Sequence, residues 1–327
     1  MNILITGGAG YIGSHVVKQL GELSPHNITT IDNLSTGNKD AVLYGEFIEE
    51  DLANFNEMEN IFKKNQFDSV MHFAGSIVVP ESVENPMKYY MNNTVNSANL
   101  LNLCNKYKVK KFIFSSTAAV YGEPEDKNMK VSETTKTAPI NPYGMTKLMI
   151  EQIIKDLGFA NPDFKYVILR YFNVAGADMD GRIGQDFPDA THLIKVAAQT
   201  ILGMRDKLYI FGDDYNTEDG TCIRDYIHVD DLASAHLSAL NYLNKNSSDI
   251  FNCGYGHGFS VKQVINTMKK AGKKDFKVEI TGRRAGDPAQ LISDNSKIIS
   301  EMQWKPVHDN LEVICRTALD WEKKSTV

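Results

Sequence analysis

The sequence predicts an α/β fold, a doubly wound parallel sheet accompanied by a second, smaller mixed α/β domain. In the first half of the chain, short apolar runs alternate with longer stretches of helical pattern. The apolar runs are continuous, as expected for parallel strands that helices cover on both faces. A glycine-rich turn joins the first run to the first helical stretch. Because connections between parallel strands are right-handed, this alternation predicts helices on both sides of one sheet.

Six predicted strands build the sheet in chain order. They are residues 2–6, 27–32, 46–49, 68–73, 111–115 and 165–171, of which 46–49 has the weakest pattern. These runs are rich in β-branched and aromatic residues, which favour strands. The predicted helices of this half are residues 11–22, 54–65, 86–107 and 143–157.

The pattern loosens after Gly176, where glycines, aspartates and short apolar runs mix with helical stretches. A strand is predicted at Leu208–Phe211, and helices are predicted near residues 192–202, 230–243 and 260–270. We therefore expect one domain over residues 1–175 and a second over residues 176–327. No low-complexity linker separates them, so the boundary is soft and segments can cross it.

Composition excludes several classes of protein. The 327 residues are 42% hydrophobic and 23% charged with a net charge of −6, which is typical of a soluble globular protein and unlike a nucleic-acid binder. No apolar run approaches the ~20 residues of a membrane span. The four cysteines are far apart and form no C-x-x-C pair, so reduced thiols and no metal site are expected. The first strand begins at once, which leaves no room for a signal peptide and predicts a cytoplasmic protein.

The glycine-rich turn predicts a dinucleotide site. Gly7, Gly10 and Gly13 satisfy one spacing of the fingerprint, and Gly8 with the last two satisfies the other. Glycines permit a tight turn and let backbone N–H groups approach a pyrophosphate. The N-terminus of the following helix favours the same anion. A glycine turn alone is weak evidence, but its position between strand and helix strengthens it.

Asp32 ends the second strand, at the spacing of a carboxylate that binds the adenosine ribose hydroxyls. Its charge would repel a 2′-phosphate, and residues 33–36 offer no arginine to compensate. The expected cofactor is therefore NAD rather than NADP, although an aspartate here could also cap a turn. Asp51 and Leu52 follow the third strand and could hold the adenine edge. Phe73, Ala74 and Gly75 end the fourth strand, where small residues let a cofactor pass close to the backbone.

Tyr143 and Lys147 form the candidate catalytic pair. Residues four apart on a helix lie on one face, and an ammonium near a phenol stabilises the phenolate and lowers its pKa. Pro142 favours a helix start that places Tyr143 at the site end of the helix. Thr117, at the carboxyl end of the fifth strand, could share a proton path with Tyr143. Taken alone, the pair could also belong to a solvated helix face.

These motifs, in this order, resemble the extended short-chain dehydrogenases/reductases, which have a Rossmann sheet. Several segments further resemble the family of UDP-glucose 4-epimerases. They are FAG at residues 73–75, KYYMNN at 88–93, FIFSSTAAVYG at 112–122, NPYGMTK at 141–147, RYFNVAGA at 170–177, IFGDDYNTEDGTCIRDYIHVDDLA at 210–233 and RRAGDPA at 283–289. The resemblance covers essentially the whole chain.

The resemblance implies an isomerase that keeps NAD tightly bound and inverts C4 of UDP-galactose and UDP-glucose through a 4-keto sugar. Tyr143 would be the base, Lys147 its electrostatic partner and a ribose ligand, and Thr117 the hydroxyl on the proton path. The first domain would bind NAD and the second the UDP-sugar. Further cofactor contacts would come from Tyr11, Ile12, Asn33, Thr36, Asn92, Ser115, Tyr171 and Phe172.

Substrate contacts are likewise carried over from the family. They are Asn173, Thr191, His192, Leu193, Tyr209, Phe211, Arg224, Tyr226, Arg284, Asp287 and Leu291, besides Thr117 and Tyr143. The two arginines suit a diphosphate because guanidinium groups form forked, charge-assisted bonds, although surface ion pairs are the alternative. For His192, substrate contact and simple packing both remain open.

Two positions depart from the family pattern. Ile77 stands where some members carry a lysine near the cofactor, so one polar contact to NAD is missing. Leu291 stands where a tyrosine is associated with glucose-only enzymes and smaller residues with N-acetylated sugars. Leucine is intermediate in size, so activity on UDP-N-acetylglucosamine is a hypothesis.

Alternative functions remain at this point. A 4-epimerase of another nucleotide sugar, such as a UDP-N-acetylhexosamine, UDP-pentose or UDP-uronate, would carry the same core. Dehydratases and decarboxylases are disfavoured because Ala118 and Ala119 cannot transfer protons. A non-catalytic NAD-binding protein would have no need of the Thr–Tyr–Lys set. By resemblance, the helices at residues 86–107 and 143–157 would form a homodimer interface.

Overall fold

The strands of the computed structural model match the sequence prediction closely. The structure describes residues 1–23, 25–124, 130–187, 191–284 and 287–325. In chain order the strands are β1 Asn2–Thr6, β2 Asn27–Asp32, β3 Glu46–Glu49, β4 Ser69–His72, β5 Lys111–Thr117, β6 Lys165–Tyr171, β7 Asn173–Ala175, β8 Leu208–Phe211, β9 Ile223–Arg224, β10 Tyr226–His228, β11 Asp249–Cys253, β12 Phe259–Ser260, β13 Val278–Thr281 and β14 Gln290–Leu291. All six strands predicted for the sheet are present, within two residues at each end.

The predicted helices are present, with one interruption, and three further helices, α3, α10 and α11 in the following list, were not predicted. They are α1 Tyr11–Leu23, α2 Phe55–Lys64, α3 Val79–Glu84, α4 Pro86–Tyr89, α5 Asn96–Lys106, α6 Pro142–Ala160, α7 Leu193–Leu202, α8 Val229–Tyr242, α9 Val261–Gly272, α10 Ser296–Met302 and α11 Leu311–Ser325. A π-helical turn, Tyr90–Val95, separates α4 from α5 where one continuous helix was predicted. Such turns are frequent at functional sites. None of the described helices is long and apolar enough to cross a membrane.

The central sheet has seven parallel strands in the order β11-β6-β5-β4-β1-β2-β3. Strand order reverses between β1 and β4, so a crevice opens beyond the carboxyl ends of these two strands. Ligands of doubly wound sheets bind at this switch point. The seventh strand, β11, comes from the second half of the chain and was not predicted. It extends the sheet beside β6, while the boundary near residue 175 stays a prediction.

Two hydrophobic clusters cover the two faces of the sheet. Along β1, Ile3 and Ile5 pack into one cluster and Leu4 into the other, because successive side chains of a strand point to opposite faces. The Ile3 side also contains apolar residues of α1, α7, α8, α9 and α11. The second half of the chain therefore shares a continuous core with the sheet and places its loops beside the carboxyl ends of the strands.

Candidate active site

The glycine loop after β1 leaves no room for side chains. Gly7 has φ +73°, and a Cβ there would lie 2.5 Å from the backbone nitrogen of Ala74. A Cβ on Gly13 would lie 2.3 Å from the carbonyl oxygen of Gly7, and one on Gly10 would lie 3.2 Å from the same atom. The backbone of the loop therefore lies directly against the end of β4 and the first turn of α1. This glycine cradle, formed by Gly7, Gly10 and Gly13, fits a pyrophosphate at the helix N-terminus, as NAD requires.

Asp32 is buried and bonds to backbone on both sides of the loop. Its Oδ2 accepts from the N–H of Ala9 at 3.0 Å, and its Oδ1 accepts from the N–H of Leu34 at 2.9 Å. Burial raises the pKa of Asp32, and the two hydrogen bonds oppose that shift. Each oxygen keeps a second lone pair for a ribose hydroxyl. The carboxylate thus also joins the glycine loop to the next loop, a role that sequence reasoning missed.

The predicted adenine-side residues come together. The side-chain amide of Asn33 donates to Asp51 at 2.7 Å, and the other oxygen of Asp51 accepts from the N–H of Ala53 at 2.7 Å. Leu52 packs at the edge of the hydrophobic cluster on the Leu4 side. Thr36 is exposed on the same loop as Asn33. That these residues hold the adenine edge remains a prediction.

The loop after β4 lies beside Lys147 of the candidate catalytic pair. A Cβ on Gly75 would lie 3.8 Å from Nζ of Lys147. Asn92, in the π-helical turn, donates to the hydroxyl of Ser76 at 2.9 Å. Its neighbour Asn93 is buried, accepts from the N–H of Ser76 at 2.7 Å and donates to its carbonyl at 3.0 Å. The sequence analysis did not assign Asn93 a role, although the Asn-Asn pair was visible in the KYYMNN segment.

Hydrophobic contacts hold the remaining predicted cofactor residues. Ile12 and Phe73 pack against the cluster on the Ile3 side of the sheet, and the Phe73 ring lies 4.8 Å from that of His236. Tyr171 is buried, with its hydroxyl 3.5 Å from Nε2 of His236. Ile77 is exposed. The end of β4 therefore packs against α8 through Phe73 and His236.

Helix α6 begins as predicted and carries the candidate catalytic pair. Asn141 caps it by accepting from the N–H of Gly144 at 2.8 Å, and Pro142 is the first helical residue. Lys147 is buried, and its Nζ donates to the carbonyl oxygen of Ser115 at 2.9 Å. The Tyr143–Lys147 pair thus faces the end of β5, and the solvated-face alternative is wrong.

The pKa shifts of Tyr143 and Lys147 differ from what the sequence led us to expect. Burial raises the pKa of Tyr143, and the hydrogen bond with Thr117 only partly opposes this. Burial also lowers the pKa of Lys147 to about 8. The Thr117 oxygen accepts from the N–H of Ala119 at 3.1 Å, which leaves its hydroxyl hydrogen available for the phenol. The expected lowering of the phenol pKa is therefore not produced by Lys147 alone, and a cationic nicotinamide ring would act in that direction.

Four predicted substrate residues line a cavity in the second half of the chain, next to the β7–β10 pair. Asn173 and Tyr226 are neighbours in the β7–β10 pair, and His192 and Leu193 lie at the start of α7. His192 contacts the amide of Gln185 at 3.0 Å, while Thr191 is exposed. Tyr11 also lines the cavity, and its hydroxyl donates to the carbonyl of Gly176 at 2.6 Å. The cavity thus lies between the two predicted domains.

The two predicted phosphate ligands have different partners. Arg224 is buried and ion-paired with Asp287, so the surface-pair alternative is wrong for it. Leu291 lies beside Arg224 in the parallel β9–β14 pair. The guanidinium of Arg284 lies 3.7 Å above the ring of Phe211.

The outer wall of this region is aromatic. Tyr209 lies on the same side of β8 as Phe211, with ring centroids 6.5 Å apart. Phe172 and Leu291 each pack against a small cluster of Ala118, Val120, Tyr121 and Val131.

Comparison with known proteins places this geometry in a family. The NAD dependent epimerase/dehydratase family matches residues 3–254. A UDP-glucose 4-epimerase of Azospirillum brasilense is 50% identical over 323 residues, which cover 98% of this chain and 92% of that one. The UDP-Glc/GlcNAc 4-epimerase of Campylobacter jejuni is 58% identical with a TM-score of 0.88, covering 99% of both chains. A UDP-glucose 4-epimerase of Bifidobacterium longum, solved with NAD⁺ and UDP, is 36% identical with a TM-score of 0.93, covering 99% of this chain and 98% of that one.

Proposed function

The chain belongs to the NAD dependent epimerase/dehydratase family, and from that premise we propose that it interconverts UDP-glucose and UDP-galactose at C4 with bound NAD. The observation that carries the proposal is the Thr117–Tyr143–Lys147 set, which lies beside the glycine cradle at the carboxyl edge of the sheet. Bound NAD would supply a reversible hydride acceptor for the sugar carbon. No second substrate is consumed.

The catalytic set moves one proton at the sugar O4. Tyr143 takes the proton of the 4-hydroxyl as the carbon is oxidised and gives it back as the carbon is reduced. Thr117 donates a hydrogen bond to the phenol oxygen and so favours its anionic form. Lys147, fixed to the carbonyl of Ser115, adds positive charge and can reach the cofactor ribose. The loops beneath hold NAD through the predicted glycines, Asp32 and their neighbours.

The second half of the chain binds the UDP portion. Arg224 and Arg284 would bind the diphosphate, and Phe211 and Tyr209 would form an aromatic wall for the base. Asp287 holds Arg224 in place and is itself exposed enough to reach a ribose hydroxyl. We assign residues 1–175 to NAD binding and residues 176–327 to the UDP-sugar. Ala118 and Ala119 follow Thr117, so the site lacks the acid and base that elimination needs.

A second substrate, UDP-N-acetylglucosamine, has two observations in its favour. The relative that is 58% identical acts on both UDP-glucose and UDP-N-acetylglucosamine, according to its name. Leu291 packs against the same small cluster as Phe172, beside Ala118, and is smaller than tyrosine. We propose that the extra acetyl group is accommodated there.

We further propose a homodimer formed by α3–α6. Val83, Met87 and Met91 are more than half exposed on neighbouring turns, and Met149 is 41% exposed on α6. Contiguous apolar surface of this kind marks interaction sites.

All four cysteines are free and buried, as suits a reducing compartment. We therefore place the enzyme in the cytoplasm, in galactose metabolism.

The first test is incubation of purified protein with UDP-galactose, without added cofactor, followed by chromatography. Formation of UDP-glucose supports the proposal. If activity requires added NAD⁺, the proposed reaction is supported, but the prediction that the protein retains NAD tightly is wrong. If bound NAD is demonstrated and no UDP-glucose forms, the substrate assignment is wrong. Parallel runs with UDP-N-acetylglucosamine and a light-scattering mass test the second substrate and the dimer.

A further inference from the structure

Glu151 is a buried carboxylate on the face of α6 that carries the catalytic pair. It follows Tyr143 by eight residues and Lys147 by four, so all three lie along one side of the helix. Glu151 is fully buried, and it accepts a hydrogen bond of 2.6 Å from the hydroxyl of Ser116. Ser116 is the residue directly before Thr117. The carboxylate therefore ties the catalytic helix to the strand that supplies the third catalytic group.

A two-point ion pair holds the same carboxylate from the next strand. Arg170 on β6 donates to Glu151 through Nε at 2.9 Å and through Nη2 at 2.6 Å. Arg170 is 2% exposed and lies directly across from Ser116 in the β5–β6 pairing. Forked pairs of this kind constrain orientation as well as distance. The helix is thus fixed against two adjacent strands one turn below Lys147.

The polar contacts continue from Arg170 toward the second half of the chain. Its Nη1 donates to the hydroxyl of Tyr121 at 3.1 Å, and this hydroxyl donates to Oδ1 of Asn252 at 2.6 Å. Asn252 lies on β11 and donates to the carbonyl of Val131 at 2.8 Å. The strand that the second half adds to the sheet is therefore part of the same buried network.

The network ends among the predicted substrate residues. Val131 forms a parallel bridge with Ser293, which lies two residues after Leu291. The hydroxyl of Ser293 donates to Asp225 at 2.6 Å, and Asp225 directly follows Arg224. One run of buried contacts thus connects the catalytic helix with the strand and loop that face the sugar and the diphosphate.

We propose that Glu151 and Arg170 are positioning residues of the epimerisation, an inference that rests on the proposed function. The ion pair sets the rotation and height of α6 on β5 and β6, so that Tyr143 and Lys147 meet Thr117 and Ser115. An apolar pair could fill the same volume but could not specify the rotation and height of the helix. A displacement of 1 Å at a reacting group can cost on the order of 10²-fold in rate.

The test replaces both charges together, as E151M/R170M, since an apolar pair often preserves stability where a single change leaves a buried unpaired charge. We expect cooperative unfolding, NAD content and KM for UDP-glucose close to wild type, with kcat lower by about 10- to 100-fold. A folded double variant with wild-type kcat overturns the inference, because packing alone then suffices. A higher KM together with weaker NAD binding also overturns the inference, because the ion pair then supports the whole site and does not specifically position the catalytic groups.

Two further variants keep the inference testable if the double variant does not fold. Ser116→Ala removes only the link from Glu151 to β5, and we expect a several-fold lower kcat at unchanged KM; wild-type kcat overturns the inference. Lys155→Met is the matched control, because Lys155 lies 3.9 Å from the same carboxylate but its side chain is 33% exposed, and the kcat of this variant should not change. A kcat loss in the control equal to that of Ser116→Ala contradicts positioning through β5. Wild-type protein in the same assay separates this result from failure of the proposed function.

Discussion

Nζ of Lys147 donates a 2.9 Å hydrogen bond to the carbonyl oxygen of Ser115, and this contact fixes the ammonium at the end of β5. The ammonium also lies 4.9 Å above the ring of Phe114. Two residues after Ser115 the same strand supplies Thr117, the hydrogen-bond partner of Tyr143. The geometry of all three candidate catalytic groups is therefore set by the packing of one helix on one strand.

Replacement of Tyr143 by phenylalanine should remove the base and leave the cofactor site intact. We expect kcat to fall by at least about 10²-fold, the usual contribution of a positioned acid–base group. Bound NAD, measured by chromatography of the denatured protein, should stay at the wild-type level. Tyr107→Phe is the control, since Tyr107 bonds Glu59 far from the site. Wild-type turnover in Tyr143→Phe would contradict the mechanism.

Lys147→Met should change the pH dependence of stability. The pKa of Lys147 falls from 10.5 to about 8 on folding, so between these values the unfolded state binds more protons. The stability of the wild-type protein relative to the variant should therefore rise as the pH increases from about 8 to 10.5, by up to about 3 kcal/mol. Urea unfolding of both proteins at several pH values measures this. A difference that is flat across the window shows that Lys147 is not held in a desolvated site.

Acid should destabilise the protein through buried neutral histidines. Burial lowers the pKa of His72 and His228 to about 3 and that of His15 and His236 to about 4. Below pH 6.5 the unfolded state binds protons that the folded state does not, so stability is lost as the pH falls. Each histidine contributes up to about 1.4 kcal/mol per pH unit. In His236→Asn, unfolding between pH 6.5 and 4.5 should show a slope smaller by about that amount, and an unchanged slope would contradict the assignment.

Two adjacent arginines should have different effects on substrate affinity. Arg284 lies over Phe211, whereas Arg283 bonds Asp214 at 2.6 Å and lies over Tyr215. Arg284→Met should raise the KM for UDP-galactose by about 10- to 100-fold, the effect of a lost charge-assisted bond. Arg283→Met should leave KM within about twofold, since it makes no predicted phosphate contact. Equal effects of both changes would show that net charge alone, not a specific ligand, is lost.

Substitution of Leu291 by tyrosine should narrow the substrate range. The larger side chain would fill the space around position 291, where we propose that the acetyl group is accommodated. We expect kcat/KM for UDP-N-acetylglucosamine to fall by at least about 10-fold while that for UDP-glucose changes little. Leu291→Val is the control and should retain both activities. Equal losses on both substrates would place the acetyl group elsewhere.

Local pattern was sufficient for six of the seven strands of the sheet and for the choice of Thr117, Tyr143 and Lys147 as the candidate catalytic trio. The glycine turn, the apolar runs and the four-residue spacing of Tyr143 and Lys147 are short-range features, and each corresponds to one structural element. The break at Tyr90–Val95 was missed because it depends on bonds between two asparagines and Ser76, a residue in a different segment.

The sequence by itself thus determined the order of strands and helices, the glycine cradle and the identity of the groups at the strand ends, since these follow from contacts between residues close in the chain. Only the tertiary structure decided that β11 joins the sheet, that Asp32 braces the glycine loop, and that Glu151 meets Arg170. These relationships join segments far apart in sequence, and their geometry depends on strand register and helix rotation. Register and rotation are set by packing of the whole core, which no local pattern encodes.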